Sequence, residues 1–309
     1  MTLSKIVFIV NPHAGNGSTG SNWSYIESVA KDRMGHFEIY MTQRSGDAVM
    51  VARNAIAKDA ELLVCVGGDG TLNEVINGIM MHEESIRSTV RVGFIPNGTG
   101  CDFARTLLIP QNIDHAIDAI AGGHARAIDL GRLSFRDHRG HESSRYFHNI
   151  TSFGLGGEVA QRVNRTTKAF GPFISFIWAT LISIFLYGKK RIRIRIDNGF
   201  KQEFTVWNVA VANGRYHGGG MQVAPNASLY DGLLNVTVIG DLTLPEVFFN
   251  LPKLYNGKIY DINKVVILTG EKIEAFSDQP VLLDVDGEQP GMMPIVIQVV
   301  PGALKIITT

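Results

Sequence analysis

The stretch ELLVCVGGDGTLNEVINGIM, residues 61–80, decides the fold. Glu61 to Val66 is an apolar run of strand length, and Leu72 to Met81 has helical spacing. Between them stands Gly67-Gly68-Asp69-Gly70-Thr71. A glycine-rich turn from strand to helix lets the backbone approach a phosphate closely. The helix N-terminus then offers free N–H groups and a partial positive charge. Asp69 would repel a bare phosphate. It makes sense where its carboxylate holds a Mg²⁺, directly or through water, that bridges phosphates. The plainer alternative is a tight turn with Thr71 capping the helix.

Working outward, the same alternation repeats. Lys5 to Val10 and His36 to Met41 read as strands, and Trp23 to Met34 and Asp47 to Lys58 as helices. Arg91 to Ile95 is a fourth strand, and Ile113 to Ala121 a further helix. Short apolar strands alternating with helices predict a parallel sheet covered on both faces. Parallel strands bring their C-terminal ends to one edge, so the loops after strands one, three and four converge there. The loop after the fourth strand is again glycine-rich: Pro96-Asn97-Gly98-Thr99-Gly100-Cys101-Asp102. The loop after the first contains Gly15, Gly17 and Gly20, a formal GxGxxG. That dinucleotide fingerprint wants an acid at the end of the second strand, where Thr42-Gln43-Arg44 stands instead, so the reading ranks low. No GxxxxGK[ST] occurs.

Beyond about residue 130 the texture changes. Tyr146 to Ser152, Arg191 to Ile196, Phe204 to Ala212, Leu233 to Ile239, Lys264 to Leu268, Val281 to Val285 and Ile295 to Val300 read as strands. Only 159–188 and 243–257 look helical. Strands with few crossovers predict a mainly antiparallel, β-sandwich-like second domain. The division expected is 1–130 for the α/β domain and 131–309 for the β-rich domain, with the extreme C-terminus allowed to pack back on the first.

The chain of 309 residues has 45% hydrophobic and 19% charged residues and zero formal net charge. No global field recruits nucleic acid. Cys65 and Cys101 stand in no metal spacing, and the two point to a reducing, cytoplasmic setting. From Ala169 to Gly188 no residue is charged, which meets the length test for a membrane span. Gly171-Pro172 and three hydroxyl residues argue instead for a buried or membrane-touching helix. Strict alternation then puts Arg191, Arg193 and Arg195 on one strand face. A basic face beside an apolar helix suits an anionic bilayer. A core helix followed by a strand with one solvated face fits equally well.

These elements together resemble the diacylglycerol kinase catalytic family, which includes sphingosine kinases and bacterial lipid kinases. The matching residues are N11-P-H-A-G15, Thr42, G67-G-D-G-T-L-N73-E, P96-N-G-T-G-C-D-F-A-R105, A224-P-N-A-S-L-Y-D-G-L-L-N-V236 and D284-V-D-G-E288. They span nearly the whole chain. The GGDGT loop by itself is shared with NAD kinases and some phosphofructokinases, so the first domain is expected to be like theirs. The resemblance implies that Asn11, Thr42, Gly67, Gly68, Asp69, Gly70, Thr71, Leu72, Asn73, Asn97, Gly98 and Thr99 contact ATP. It implies that Asp69 belongs to a Mg²⁺–water network and that Asp102 is a carboxylate of the active cleft. Ser228, Asp231 and Leu233 would form a second Mg²⁺ site, the outer two through backbone oxygens. Glu288 would accept the hydroxyl proton, with Asp286 beside it as the other candidate. Taken without the resemblance, DVDGE and Asp231-Gly232 read as hairpin turns, and His217 as no more than a surface histidine. The chain departs from the family pattern at Asn16, Cys101 and Asp47, where Lys, Asn and His are frequent.

The expected activity is therefore ATP-dependent phosphorylation of a lipid hydroxyl, with diacylglycerol to phosphatidic acid as the first choice. The expected partners are a lipid substrate and the inner membrane surface, touched peripherally. The oligomeric state is left open, a homodimer included. Two rivals stand beside this reading: a NAD kinase-like phosphotransferase, and a non-catalytic nucleotide- or lipid-binding regulator.

Overall fold

In the computed structural model, which describes residues 5–165 and 172–308, the KIVFIV run forms β1 (Ile6–Val10). There follow α1 (Ser18–Met34), β2 (Glu38–Met41), α2 (Asp47–Ile56), β3 (Leu62–Gly67), α3 (Asp69–Ile79), α4 (Glu84–Arg87), β4 (Arg91–Pro96), α5 (Asp102–Leu107) and α6 (Ile113–Gly122). The strands pair in parallel in the order β2-β1-β3-β4. Val7 to Val10 and Leu62 to Val66 are buried throughout, as strands covered on both faces must be. Phe8, Val10, Val64, Val66 and Ile95 pack against Ile26 and Ala30 of α1 and Ala116, Ile117 and Ile120 of α6. Each buried Phe, Val or Ile among them contributes about 1.5–3 kcal/mol. Helix α5 lies in a stretch that reads as loop in the sequence, because six residues are too few to show a period.

The chain divides into two units by its contacts, Met1–Ile128 with Gly302–Thr309, and Asp129–Pro301. Strand β5 (Ala125–Asp137) leads into the second unit, which continues with β6 (Glu142–Phe147), β7 (Ile150–Gly154), α7 (Leu155–Arg165), α8 (Pro172–Leu186), β8 (Lys190–Ile196), β9 (Phe200–Val206) and β10 (Asn208–Ala212). Next come β11 (Tyr216–His217), β12 (Met221–Gln222), β13 (Leu234–Ile239), α9 (Leu244–Tyr255), β14 (Val265–Gly270), β15 (Lys272–Phe276), β16 (Leu283–Val285) and β17 (Gly291–Ile307). One antiparallel layer runs β14-β13-β10-β7-β16. The other contains β9-β8-β15-β17. Phe153, Val209, Val236 and Leu283 of the first meet Ile192, Ile194, Ile273 and Ile297 of the second in one core. This is an antiparallel sandwich.

Several elements differ from the sequence reading. The single strand expected over Tyr146 to Ser152 is two, broken at His148-Asn149, whose N–H groups turn to the Asp286 carboxylate. The strand expected over Phe204 to Ala212 splits at Trp207, whose ring N–H goes to the Leu242 carbonyl. The Arg-Ile alternation of β8 holds, with the isoleucines buried. Two of its three arginines are paired with carboxylates. Arg193 sits at 3.0 Å from Asp278 and 3.9 Å from Glu203, and Arg195 at 3.7 Å from Glu274. Residues 169–171 of the uncharged stretch lie outside the described residues, and among the described residues no helix is long and apolar enough to cross a membrane.

Candidate functional site: a glycine cradle and an acidic turn

In the first unit the loops after β1, β3 and β4 converge. Asn11 donates its backbone N–H to Val66 at 3.0 Å and its side-chain Nδ2–H to Thr71 Oγ1 at 2.9 Å. Asn97 donates its N–H to the Gly67 carbonyl at 2.8 Å. Ser18 Oγ and Thr19 Oγ1, at the start of α1, reach the side-chain and backbone oxygens of Asn97 at 2.9 and 3.0 Å. Thr42 is buried at the end of β2, bonded to the Val10 carbonyl. The glycines here are required by approach. A methyl group at Gly98 would lie 2.5 Å from the Gly68 Cα, so the close approach of the two loops requires glycine at 98. A methyl at Gly70 would meet nothing within 4 Å. That position is open at the helix N-terminus, where a phosphate is favoured.

Asp69 accepts the N–H groups of Asp102 and Phe103 at 2.9 and 3.2 Å. It thereby caps α5 and fixes the second glycine loop to the first. Asp102 is buried and 3.8 Å from Arg105 Nε. A methyl group at Gly100 would lie 3.5 Å from Asp102 Oδ2 and 3.8 Å from Asp69 Oδ2, so both carboxylates border one point. Such a pair fits a divalent cation shared with substrate phosphates, the usual way Mg²⁺ is held. No cluster of three or more His, Cys, Asp or Glu stands ready as a protein-only metal cage among the described residues. Burial pushes the Cys101 thiol up to about 12, and the nearby Asp69 charge adds to it, so this cysteine stays a neutral packing group. Glu74 has no assigned place in the sequence reading beyond the GGDGTLNE match. It is buried and accepts from Ser45 Oγ and the Gly46 and Ala48 N–H groups, which holds the start of α2.

The second unit carries the acidic turn after β16. Asp286 and Gly287 have left-handed backbones, φ 47° and 89°. Three acids alternate there with three different fates. Asp284 is buried, receives the Gly287 N–H at 2.9 Å, and has His217 Nε2 at 3.0 Å. Asp286 is buried, accepts N–H groups from His148, Asn149 and Ile150, and has His148 Nδ1 at 2.8 Å. Burial by itself pushes its carboxyl up; the His148 charge and these hydrogen bonds outweigh that and hold it below the usual carboxylate range. Glu288 alone keeps a substantially exposed carboxylate, with Arg145 Nη1 at 2.6 Å. His148, Arg145, His217 and Asp284 carry no sequence signal as partners, because they are distant in the chain. Ser228, Asp231 and Leu233 share one turn. Asp231 Oδ1 accepts the Leu233 N–H at 3.1 Å, and the buried Asp129 accepts the Gly232 N–H at 2.8 Å.

Residues 5–133 match the diacylglycerol kinase catalytic domain, and residues 149–308 match the YegS C-terminal NAD kinase beta sandwich-like domain. A diacylglycerol kinase of Staphylococcus carnosus is 31% identical over 82% of this chain and 79% of its own length. One of Staphylococcus aureus is 31% identical over 82% of this chain and 76% of its own. Among solved structures, a putative diacylglycerol kinase from Bacillus anthracis superposes with a TM-score of 0.80 at 27% identity, covering 100% of this chain and 96% of that one. Yeast NADH kinase superposes at 0.51 with 13% identity over 100% of this chain and 84% of its own, a likeness of fold.

Proposed function

The chain belongs to the diacylglycerol kinase family, and from that premise we propose that it transfers the γ-phosphoryl group of ATP to a lipid hydroxyl, diacylglycerol first, yielding phosphatidic acid. The observation that carries the reading is the pair of glycine loops, packed glycine on glycine at 67–70 and 97–100, beside two carboxylates that border one point. Phosphoryl transfer is catalysed chiefly by positioning and by charge stabilisation. The proposed nucleotide contacts are Asn11, Thr42, Gly67 to Asn73, and Asn97 to Thr99. Asp69 and Asp102 would hold a Mg²⁺ that neutralises charge on the phosphates, and the turn of Ser228, Asp231 and Leu233 would hold a second ion.

On the acceptor side, Glu288 is the proposed proton acceptor. The engagement of Asp286 by three N–H groups and an imidazole supports Glu288 as the acceptor and a supporting place for Asp286. Its part is to hold the turn that aims Glu288. A lipid acceptor places the enzyme at the inner membrane surface from the cytoplasmic side. No separate observation favours NAD as acceptor over a lipid.

The test is transfer of labelled γ-phosphate from ATP–Mg²⁺ to a lipid panel in mixed micelles, with NAD as a water-soluble control. Labelled lipid is expected. Asp69→Asn and Glu288→Gln are each expected to lower kcat by about 10²-fold or more. Labelled NAD, or no product with any lipid, would overturn the reading.

A further inference from the structure

Helix α8 shows two faces. Ala179, Ser183 and Ile184 are buried. Trp178, Ile182, Phe185 and Leu186 recur at helical spacing on the opposite side and are 61%, 41%, 64% and 71% exposed. Helix α9 continues the same surface. Phe185 and Phe248 lie with ring centroids 5.7 Å apart, and Phe249 next to it is 81% exposed. Thr243 and Glu246 close a capping box on α9, so these rings stand on a fixed helix end. A contiguous outward patch of this kind marks an interaction surface.

We propose that this α8–α9 face is the surface by which the protein inserts shallowly into an anionic lipid bilayer. The inference rests on the lipid-kinase reading only for the choice of occupant. Three observations select a bilayer. The patch is built of Trp, Phe, Ile and Leu, the composition of interfacial helices. Helix α8 has 15 residues, too few to span, so its apolar face can enter a membrane only in-plane. The surrounding segments 178–191 and 241–258 hold Lys189, Lys190, Arg191, Lys253 and Lys258 against Asp241 and Glu246, a local positive excess in a chain of zero net charge. The carboxylates there are engaged, Asp241 by Lys189 and Glu246 by Lys264. With Lys189 paired to Asp241, the rim's cations are Lys190, Arg191, Lys253 and Lys258, which suit lipid headgroups of opposite sign. A second copy of the chain would bring the same positive rim against itself.

The experiment uses the full chain without nucleotide. Vesicles of phosphatidylcholine alone, or with phosphatidylglycerol, are added while tryptophan emission and co-sedimentation are followed. Trp207 is buried and Trp23 half-buried, so Trp178 is the exposed reporter of the chain's three tryptophans. A blue shift with the anionic vesicles is expected, with binding about tenfold tighter than to phosphatidylcholine alone. Phe249→Asp is expected to weaken it at least tenfold, and Phe185→Ser serves as a second variant on the other helix. Both should keep wild-type kcat on a short-chain, monomerically dispersed acceptor. Absence of the shift, equal binding by Phe249→Asp, or a concentration-dependent dimer that this variant abolishes would each overturn the proposal. Vesicle binding without lipid phosphorylation would leave this surface standing and remove the kinase reading; phosphorylation without vesicle binding would do the reverse.

Discussion

At the residue scale the acidic turn shows how environment divides labour among like groups. Asp284, Asp286 and Glu288 differ in partner and burial rather than in chemistry. Asp286 has a lowered pKa, so the stability it contributes is present above the ordinary carboxylate range of about 4 and is lost as pH falls through its depressed folded value. Asp286→Asn should cost about 3 kcal/mol at pH 7, since it leaves His148 and three N–H groups without their charged acceptor. It should also flatten the acid limb of stability. Urea midpoints measured between pH 7 and pH 3 would show both, and an unchanged acid limb would remove Asp286 from its cause. His217 holds the same turn through Asp284. His217→Ala is therefore expected to lower kcat about tenfold with the KM for ATP unchanged, and His217→Gln to restore part of it. Equal loss in both variants, or a raised KM for ATP, would argue against this positioning.

At the element scale, two glycines separate packing from function. Gly98→Ala forces its methyl against the Gly68 Cα at 2.5 Å, so it should destabilise the first unit and raise the KM for ATP at least tenfold. Gly70→Ala meets no neighbour and lies within a helix, where alanine is favoured by up to about 1 kcal/mol. It should fold at least as stably as wild type while losing transfer activity, because the methyl would stand where a phosphate is proposed to lie. Thermal midpoints beside kinetics would separate the two. An active Gly70→Ala enzyme would move the phosphate site elsewhere.

At the scale of the whole molecule, the last eight residues belong to the first unit although the 173 residues before them form the second. Lys305 and Ile306 pair in parallel with Arg91 and Val92 of β4, and Leu304, Ile306 and Ile307 are buried. Ending the chain at Pro301 should therefore cost about 5 kcal/mol, from three buried aliphatic side chains. It would also expose the β4 edge to other chains. Loss of cooperative unfolding in the first unit, followed by its single Trp23, would be the sign. An unaltered transition would show that the C-terminal segment adds nothing to that unit.

The sequence by itself determined the α/β and sandwich classes, because strand length, period and glycine turns are local properties that the chain writes residue by residue. It also marked the two glycine loops, whose fit depends on the absence of a side chain. Tertiary structure alone decided which carboxylate in DVDGE stays accessible, that Asp69 caps α5, that Glu74 holds α2, and that Arg193 and Arg195 of β8 are paired. Those outcomes rest on partners 10 to 143 positions away in the chain. A charge's role depends on burial and on what lies within about 4 Å of it, and neither is a property of sequence neighbours.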